Sequence, residues 1–239
     1  MKKIVFVFVI FIILIFSSCN SIDNDDSGNA NNSFHNTSNH EEEYDTKKDT
    51  YFPKEIGIND FINNWYSRHL AALEEPVIPE QTDDYISIYR FTCLRSFHNP
   101  FSIRIEINEQ NESAILFFKM CDGAGGYDPG ELIISEQKTF EPDEINSFIE
   151  TIEKYDYWKM PFDEEDSGGC DGSEWIIELL KDGKYHAISR WSPEYKEQHQ
   201  LIDGQWEIYS LDRISDLDAI YELGLFFIEL SQQEIEELY

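Results

Sequence analysis

Basic residues are scarce in this chain. Its 239 residues include 18 Lys and Arg against 48 Asp and Glu, a formal net charge of −30. A surface this acidic repels nucleic acid, whose binding depends on Lys and Arg neutralising phosphates, so nucleic acid is excluded as a partner. It also repels anionic lipid headgroups, so no basic patch holds the chain to a membrane. It favours basic proteins or divalent cations, and it also keeps a protein soluble. Cysteine is sparse as well: Cys19, Cys93, Cys121 and Cys170. No two have the close spacing of a zinc knuckle or a CxxC redox site. The signatures GxSxG, HExxH, GxxxxGK[ST] and the papain-like cysteine box are all missing, which removes the motif-borne hydrolases and the P-loop enzymes. There is no internal repeat. The apolar run Ile4 to Phe16 has 13 residues, short of the ~18 that a comfortable membrane span requires.

What is present begins with that run. Lys2 and Lys3 precede it and Ser17-Ser18-Cys19 closes it, the order of a secretion signal. The small residues ending in cysteine resemble a bacterial lipobox, with Phe16 where the family usually has Leu. The resemblance implies a signal peptide over 1–18, diacylglycerol on Cys19, and a mature protein held to a membrane by lipid in the cell envelope, on the extracytoplasmic side. With Cys19 acylated, three cysteines remain, enough for at most one internal disulfide. Residues 20–50 are rich in Asn, Ser, Asp and Glu, and Ile22, Phe34 and Tyr44 are their only large apolar side chains. Such a stretch buries too little apolar surface to offset the entropy of ordering, so 19–50 is expected to be a flexible tether.

From Tyr51 to Tyr239 aromatic and aliphatic residues become frequent, and about 190 residues suit one domain with its own core. Asn59 is placed to cap a helix carrying Phe61, Ile62, Trp65, Tyr66 and Leu70, with Pro76 beyond its end. Strands are expected over Tyr85–Leu94, Phe101–Ile107, Ala114–Met120 and Glu131–Thr139. In the second, Phe101, Ile103, Ile105 and Ile107 alternate with Ser102, Arg104 and Glu106, the pattern of one buried face. Pro142 opens a helix to about Tyr155. Asp182-Gly183 links Trp175–Leu180 to Tyr185–Trp191, the strongest short-range hairpin signal. Residues 194–213 read as irregular. A final helix, about Asp216–Leu230, is apolar on nearly all sides and should be buried. Strands in hairpin order with separate helices predict a single α+β domain over 51–239, with an antiparallel sheet of about six strands packed by about three helices.

A two-residue Asp-Gly turn pairs Lys181 with Lys184. Trp175 then faces Arg190, Ile177 faces Ile188 and Leu179 faces His186. Because strand side chains alternate, Glu178 lies on the opposite face from His186 unless a bulge intervenes. Asp171-Gly172-Ser173-Glu174-Trp175, then Glu178, Gly183, Tyr185-His186 and Arg190-Trp191-Ser192-Pro193 resemble a pattern recurrent in uncharacterised bacterial proteins. Gly125-Gly126-Tyr127-Asp128-Pro129-Gly130 and Trp158 belong to the same pattern, which covers roughly residues 85–193 and the last helix. It implies a family and carries no mechanism.

Asp122 to Gly130 superficially resembles a nucleotide loop, but Asp128 stands at the third glycine and a strand follows instead of a helix. Its glycines better suit a long hairpin connection with positive φ. The acidic loop Asp163–Glu174 spaces Asp163, Glu165, Ser167, Asp171 and Glu174 as in a twelve-residue calcium loop, with Gly168 at the turn. A strand follows, where an EF-hand has a helix, and an exposed acidic loop explains the same residues. Of the six histidines, His186 alone lies in a core hairpin. A lone strand histidine is more often structural than catalytic.

These features leave three readings open. The first is a lipid-anchored, non-catalytic binding protein with a basic protein partner. The second is an extracytoplasmic hydrolase using Glu178, His186 and Arg190. The third is a calcium-binding protein using the loop above. No other cofactor is implied.

Overall fold

The computed structural model describes residues 50–140, 142–162, 171–193, 198–202, 205–209, 214–235 and 238. Its centre is a six-stranded antiparallel sheet formed by β1 (Ile86–Arg95), β2 (Phe101–Asn108), β3 (Ser113–Cys121), β4 (Leu132–Phe140), β5 (Ser173–Lys181) and β6 (Lys184–Trp191). The strands lie in the order β4-β3-β2-β1-β5-β6. β1 is therefore central, with the β2–β3–β4 meander on one side and the β5–β6 hairpin on the other. The helices are α1 (Asp60–Ala72), α2 (Asn146–Lys154) and α3 (Ile214–Ser231). This is the α+β architecture that the order of periodic segments predicts.

The helix ends follow from local chemistry. Asn59 Oδ1 accepts the Ile62 N–H at 2.9 Å and caps α1, satisfying one of its orphan donors. At the other end Glu74 takes φ 53°, its N–H reaches Ala71 O, and the Glu75 N–H reaches Leu70 O. That is a Schellman closure with glutamate where glycine is usual. It reverses the chain so that Glu75 turns back toward the sheet. The expected helix from Pro142 begins instead as a 3-10 turn, Pro142–Ile145, before α2 proper.

Two layers flank the sheet. On one face α2 and α3 cover Tyr89, Phe91, Phe101, Ile103, Ile105, Leu116, Phe118, Trp175, Ile177 and Ile188. Phe91 packs against Trp175 at 5.1 Å and Phe227 at 5.8 Å between ring centroids, and Phe148 of α2 meets Phe227 at 4.8 Å. Gly224 of α3 lies so close to Trp175 that a Cβ would stand 2.3 Å from the indole. α3 buries Leu217, Ile220, Leu223 and Phe227 fully, whereas Tyr221, Leu225, Phe226 and Ile228 are half-buried. On the opposite face α1 contributes Tyr66 and Leu70 to a second cluster with Phe52, Ile58, Leu94, Phe162, Ile176 and Ala187.

The one-sided reading of β2 is corrected here. Ser102 and Arg104 are buried too, because α1 and the chain after it roof the face that alternation alone marks as solvent. Residues 198–209 are also more regular than expected. β7 (Gln198–Ile202) pairs antiparallel with β8 (Gln205–Tyr209), and Asp203-Gly204 in the sequence between them is the same hairpin signal as Asp182-Gly183. The register Trp175↔Arg190, Ile177↔Ile188 and Leu179↔His186 holds without a bulge. Cys93 and Cys121 are both buried. Burial, aided by Asp122 and Glu131, pushes the Cys121 thiol up to about 11.

Candidate functional site

One cross-strand row on the α1 face is charged. The register sets Glu178 of β5 opposite Arg90 of β1, Arg90 opposite Arg104 of β2, and Arg104 opposite Phe117 of β3. Strand alternation alone would aim all four side chains the same way. Glu75, delivered by the closure of α1, drops its carboxylate between the two arginines. Arg90, Glu75 and Glu178 have side chains with 0% exposure.

Every formal charge in this row has a partner. Arg90 Nε donates to Glu178 Oε2 at 2.7 Å, and its NH2 lies 2.6 Å from the same oxygen. Arg90 NH1 donates to Pro76 O at 2.8 Å and lies 3.4 Å from Glu75. Arg104 Nε donates to Glu75 Oε2 at 2.8 Å, its NH1 pairs with Glu106, and its guanidinium covers the Phe117 ring at 4.1 Å. Tyr185 donates to Glu178 Oε1 at 2.8 Å. Lys119 closes the rim, 3.5 Å from Glu75 Oε1, and donates to Glu74 O at 2.6 Å.

The electrostatics follow from burial against pairing. Desolvation pushes the Glu178 carboxyl above its usual range, while Arg90 and the Tyr185 hydroxyl pull it back. Desolvation acts on Glu75 as well, but Arg90, Arg104 and Lys119 together hold it below the ordinary value. Glu178 and Glu75 raise the Arg90 pKa despite its burial. Removing one member of such a set would leave an uncompensated buried charge. A carboxylate already bound by Arg90 and Tyr185, with no solvent exposure, offers no atom to a substrate. The row is a cross-link between α1 and the sheet.

His186 and Arg190 are on the other face, with Ile188. The structure therefore separates Glu178 from both and does not assemble the three into one constellation. His186 Nε2 lies 2.9 Å from Met160 O, and its ring meets Tyr157 edge-on at 5.3 Å. Burial lowers its pKa, with the Met160 carbonyl opposing and the Arg190 charge assisting. Arg190 NH1 donates to Phe162 O at 3.1 Å and Ser189 O at 2.7 Å. With Ser189 N–H on Phe162 O at 2.6 Å, these bonds hold residues 157–162 along the outer edge of β6 and cover it. A shallow concavity of about 450 Å³ opens beside them, lined by Trp158, Lys181, Asp182, Lys184, Tyr185 and His186.

Asp163, Glu165 and Ser167 of the calcium-loop reading lie outside the described residues, as does Cys19. Asp171 is exposed. Glu174 accepts a hydrogen bond from the Ser189 hydroxyl, which also meets Tyr66 Oη at 3.0 Å. Among the described residues no group of three or more His, Cys, Asp or Glu is arranged to hold a metal ion. Among them too, no helix is long and apolar enough to cross a membrane.

The glycine loop 122–130 joins β3 to β4 and packs on the turn after β1. Gly125 donates to His98 O at 3.1 Å, and Gly126 donates to Ser96 O at 3.3 Å. A Cβ on Gly125 would meet the Arg95 backbone at 2.4 Å. Only Gly130 of this loop has positive φ, 73°, so close backbone approach explains Gly125 better than turn conformation does. Ser96 in turn donates to Gly172 O at 2.8 Å, and the Ser173 N–H donates to Ser192 Oγ at 3.0 Å. The glycine loop, Gly172-Ser173 and Ser192 thus meet at one end of the sheet, around Ser96.

Sequence reasoning missed Glu75, Arg90 and Arg104. A signal existed for Arg90, a charge inside the apolar run Ile88-Tyr89-Arg90-Phe91. None existed for Glu75, which enters only through the backbone reversal at Glu74. No protein-family model matches this chain, and no curated protein matches it significantly.

Proposed function

We propose that this chain is a lipid-anchored extracytoplasmic binding protein that presents an acidic surface to a basic protein partner and has no catalysis of its own. The observation that carries the reading is where the positive charge goes. Arg90, Arg95, Arg104 and Arg190 are buried, while the buried carboxylates among the described residues are Glu75 and Glu178. Among the described residues the interior takes up more cation than anion, so the surface they present is more acidic than their composition alone conveys. Complementary charge of this kind speeds encounter and selects partners by sign. Acylation of Cys19 would supply the membrane attachment that the acidic surface cannot.

The test is capture from native cell envelopes with the full lipidated chain in detergent. A stoichiometric basic protein should be retained at low salt and released near ~0.5 M, where screening shortens charge interactions to a few ångströms. Glu131→Gln, Glu136→Gln and Glu150→Gln together, all exposed positions, should weaken retention. Retention indifferent to both salt and neutralisation, or no retained protein, would overturn the reading. Replacing Cys19 by Ala should move the chain from the membrane to the soluble fraction.

A further inference from the structure

We propose that the exposed ring pair Phe97–Tyr127 is the seat for the basic partner and takes an arginine- or lysine-bearing segment across the two rings. The inference rests on the basic-partner reading and names the surface that would serve it. Phe97 is 58% exposed and Tyr127 61% exposed, yet their ring centroids lie only 6.1 Å apart at a tilt of 34°. They come from different parts of the chain, Phe97 from the turn after β1 and Tyr127 from the glycine loop after β3.

The pair is held, not merely exposed. The loop is pinned through Gly125 N–H on His98 O, Gly126 N–H on Ser96 O, and Tyr127 N–H on Ala124 O at 2.9 Å. At Gly125 no side chain fits against the Arg95 backbone. Arg68 of α1 clamps Asp128, the residue after Tyr127. A platform fixed by α1, the turn after β1 and its own loop loses little freedom on binding, which favours affinity. Aromatic residues in fixed positions are also the usual anchors of protein interfaces.

The charge around the rings selects the occupant. Asp122, Asp128 and Glu131 are exposed in and beside the loop, and the aromatic faces are themselves negative. Arg68 reaches the loop from α1, and Asp128 occupies its charge. A guanidinium or ammonium stacked on the rings would satisfy both the quadrupole and the carboxylates. A second copy of the chain fits poorly, because each carries a net charge of −30.

The experiment uses the full lipidated chain in detergent and, as probe, a labelled peptide of alternating arginine and glycine. Phe97→Ala with Tyr127→Ala leaves the net charge unchanged, and both side chains are exposed, so melting curves should match wild type. Fluorescence anisotropy at fixed low salt should show the double variant binding about tenfold more weakly. Phe61→Ala, at the 76% exposed position on α1, should leave affinity within about twofold. Equal binding by wild type and double variant would overturn the seat while leaving the acidic-surface reading intact. No binding by wild type would remove the basic-partner reading and this inference with it. Adsorption of the Cys19→Ala chain to phosphatidylcholine vesicles, lost in the double variant while peptide binding is kept, would make the pair a membrane contact and overturn the proposal.

Discussion

Replacing Glu178 by Leu should be among the most damaging single changes in the described region. The substitution removes the acceptor of Arg90 Nε and of the Tyr185 hydroxyl, and the ion-pair partner of Arg90 NH2. It leaves a fully buried guanidinium with Pro76 O at 2.8 Å and Glu75 at 3.4 Å. Glu75 is already engaged by Arg104 and Lys119. Breaking a buried pair from one side costs about 3–5 kcal/mol, a large share of the ~5–15 kcal/mol by which domains are stable. With a urea slope near ~2 kcal/mol/M, the unfolding midpoint should fall by roughly 2 M. Removing both charges, with Arg90→Met and Glu178→Leu together, should recover most of that loss. Glu75 keeps two cations, and apolar replacements of a buried pair are often neutral. The assay is urea unfolding followed by tryptophan fluorescence, since Trp175 is fully buried. The four chains of the cycle should give a coupling of ~2 kcal/mol or more. A single-variant cost below about 1 kcal/mol, or a double variant as costly as the two singles added, would refute the account of a mutually dependent buried row.

Two further outcomes follow from the packing. Burial lowers the pKa of His69 and of His186 below 6.5, with backbone carbonyls opposing in each case. The unfolded chain therefore takes up protons first as pH falls below 6.5, so stability is lost in that direction. Tm should drop by about 2–5 °C between pH 7 and 5.5, and His69→Gln with His186→Gln should flatten that slope in calorimetric scans. Gly125→Ala and Gly224→Ala should each destabilise by about 2 kcal/mol or more, because their Cβ atoms would stand 2.4 Å from the Arg95 backbone and 2.3 Å from the Trp175 ring. Wild-type melting of both would refute the contacts.

Much of the architecture was legible from local patterning. The Asp182-Gly183 turn specified the β5–β6 register residue by residue, because a two-residue turn leaves one pairing. That register by itself puts Glu178 and His186 on opposite faces. Asn59 announced the start of α1 because its side chain does what an N-cap requires. β2 shows where such reasoning ends. Alternation reports that two faces differ, not that either is wet, and Arg104 is buried because α1 and the residues after it arrive from elsewhere in the chain.

The sequence by itself determined the acidity and the order of the three helices and the six strands of the main sheet, since each depends on residue identity and short spacing alone. Only the tertiary structure decided which charges face water. It placed Glu75 between Arg90 and Arg104 through one left-handed residue, Glu74. It closed residues 157–162 over the edge of β6, and it brought Phe97 and Tyr127 together from separate loops. Each of these depends on contacts between residues far apart in the chain, and their free energy resides in desolvation and packing that no local window of sequence contains.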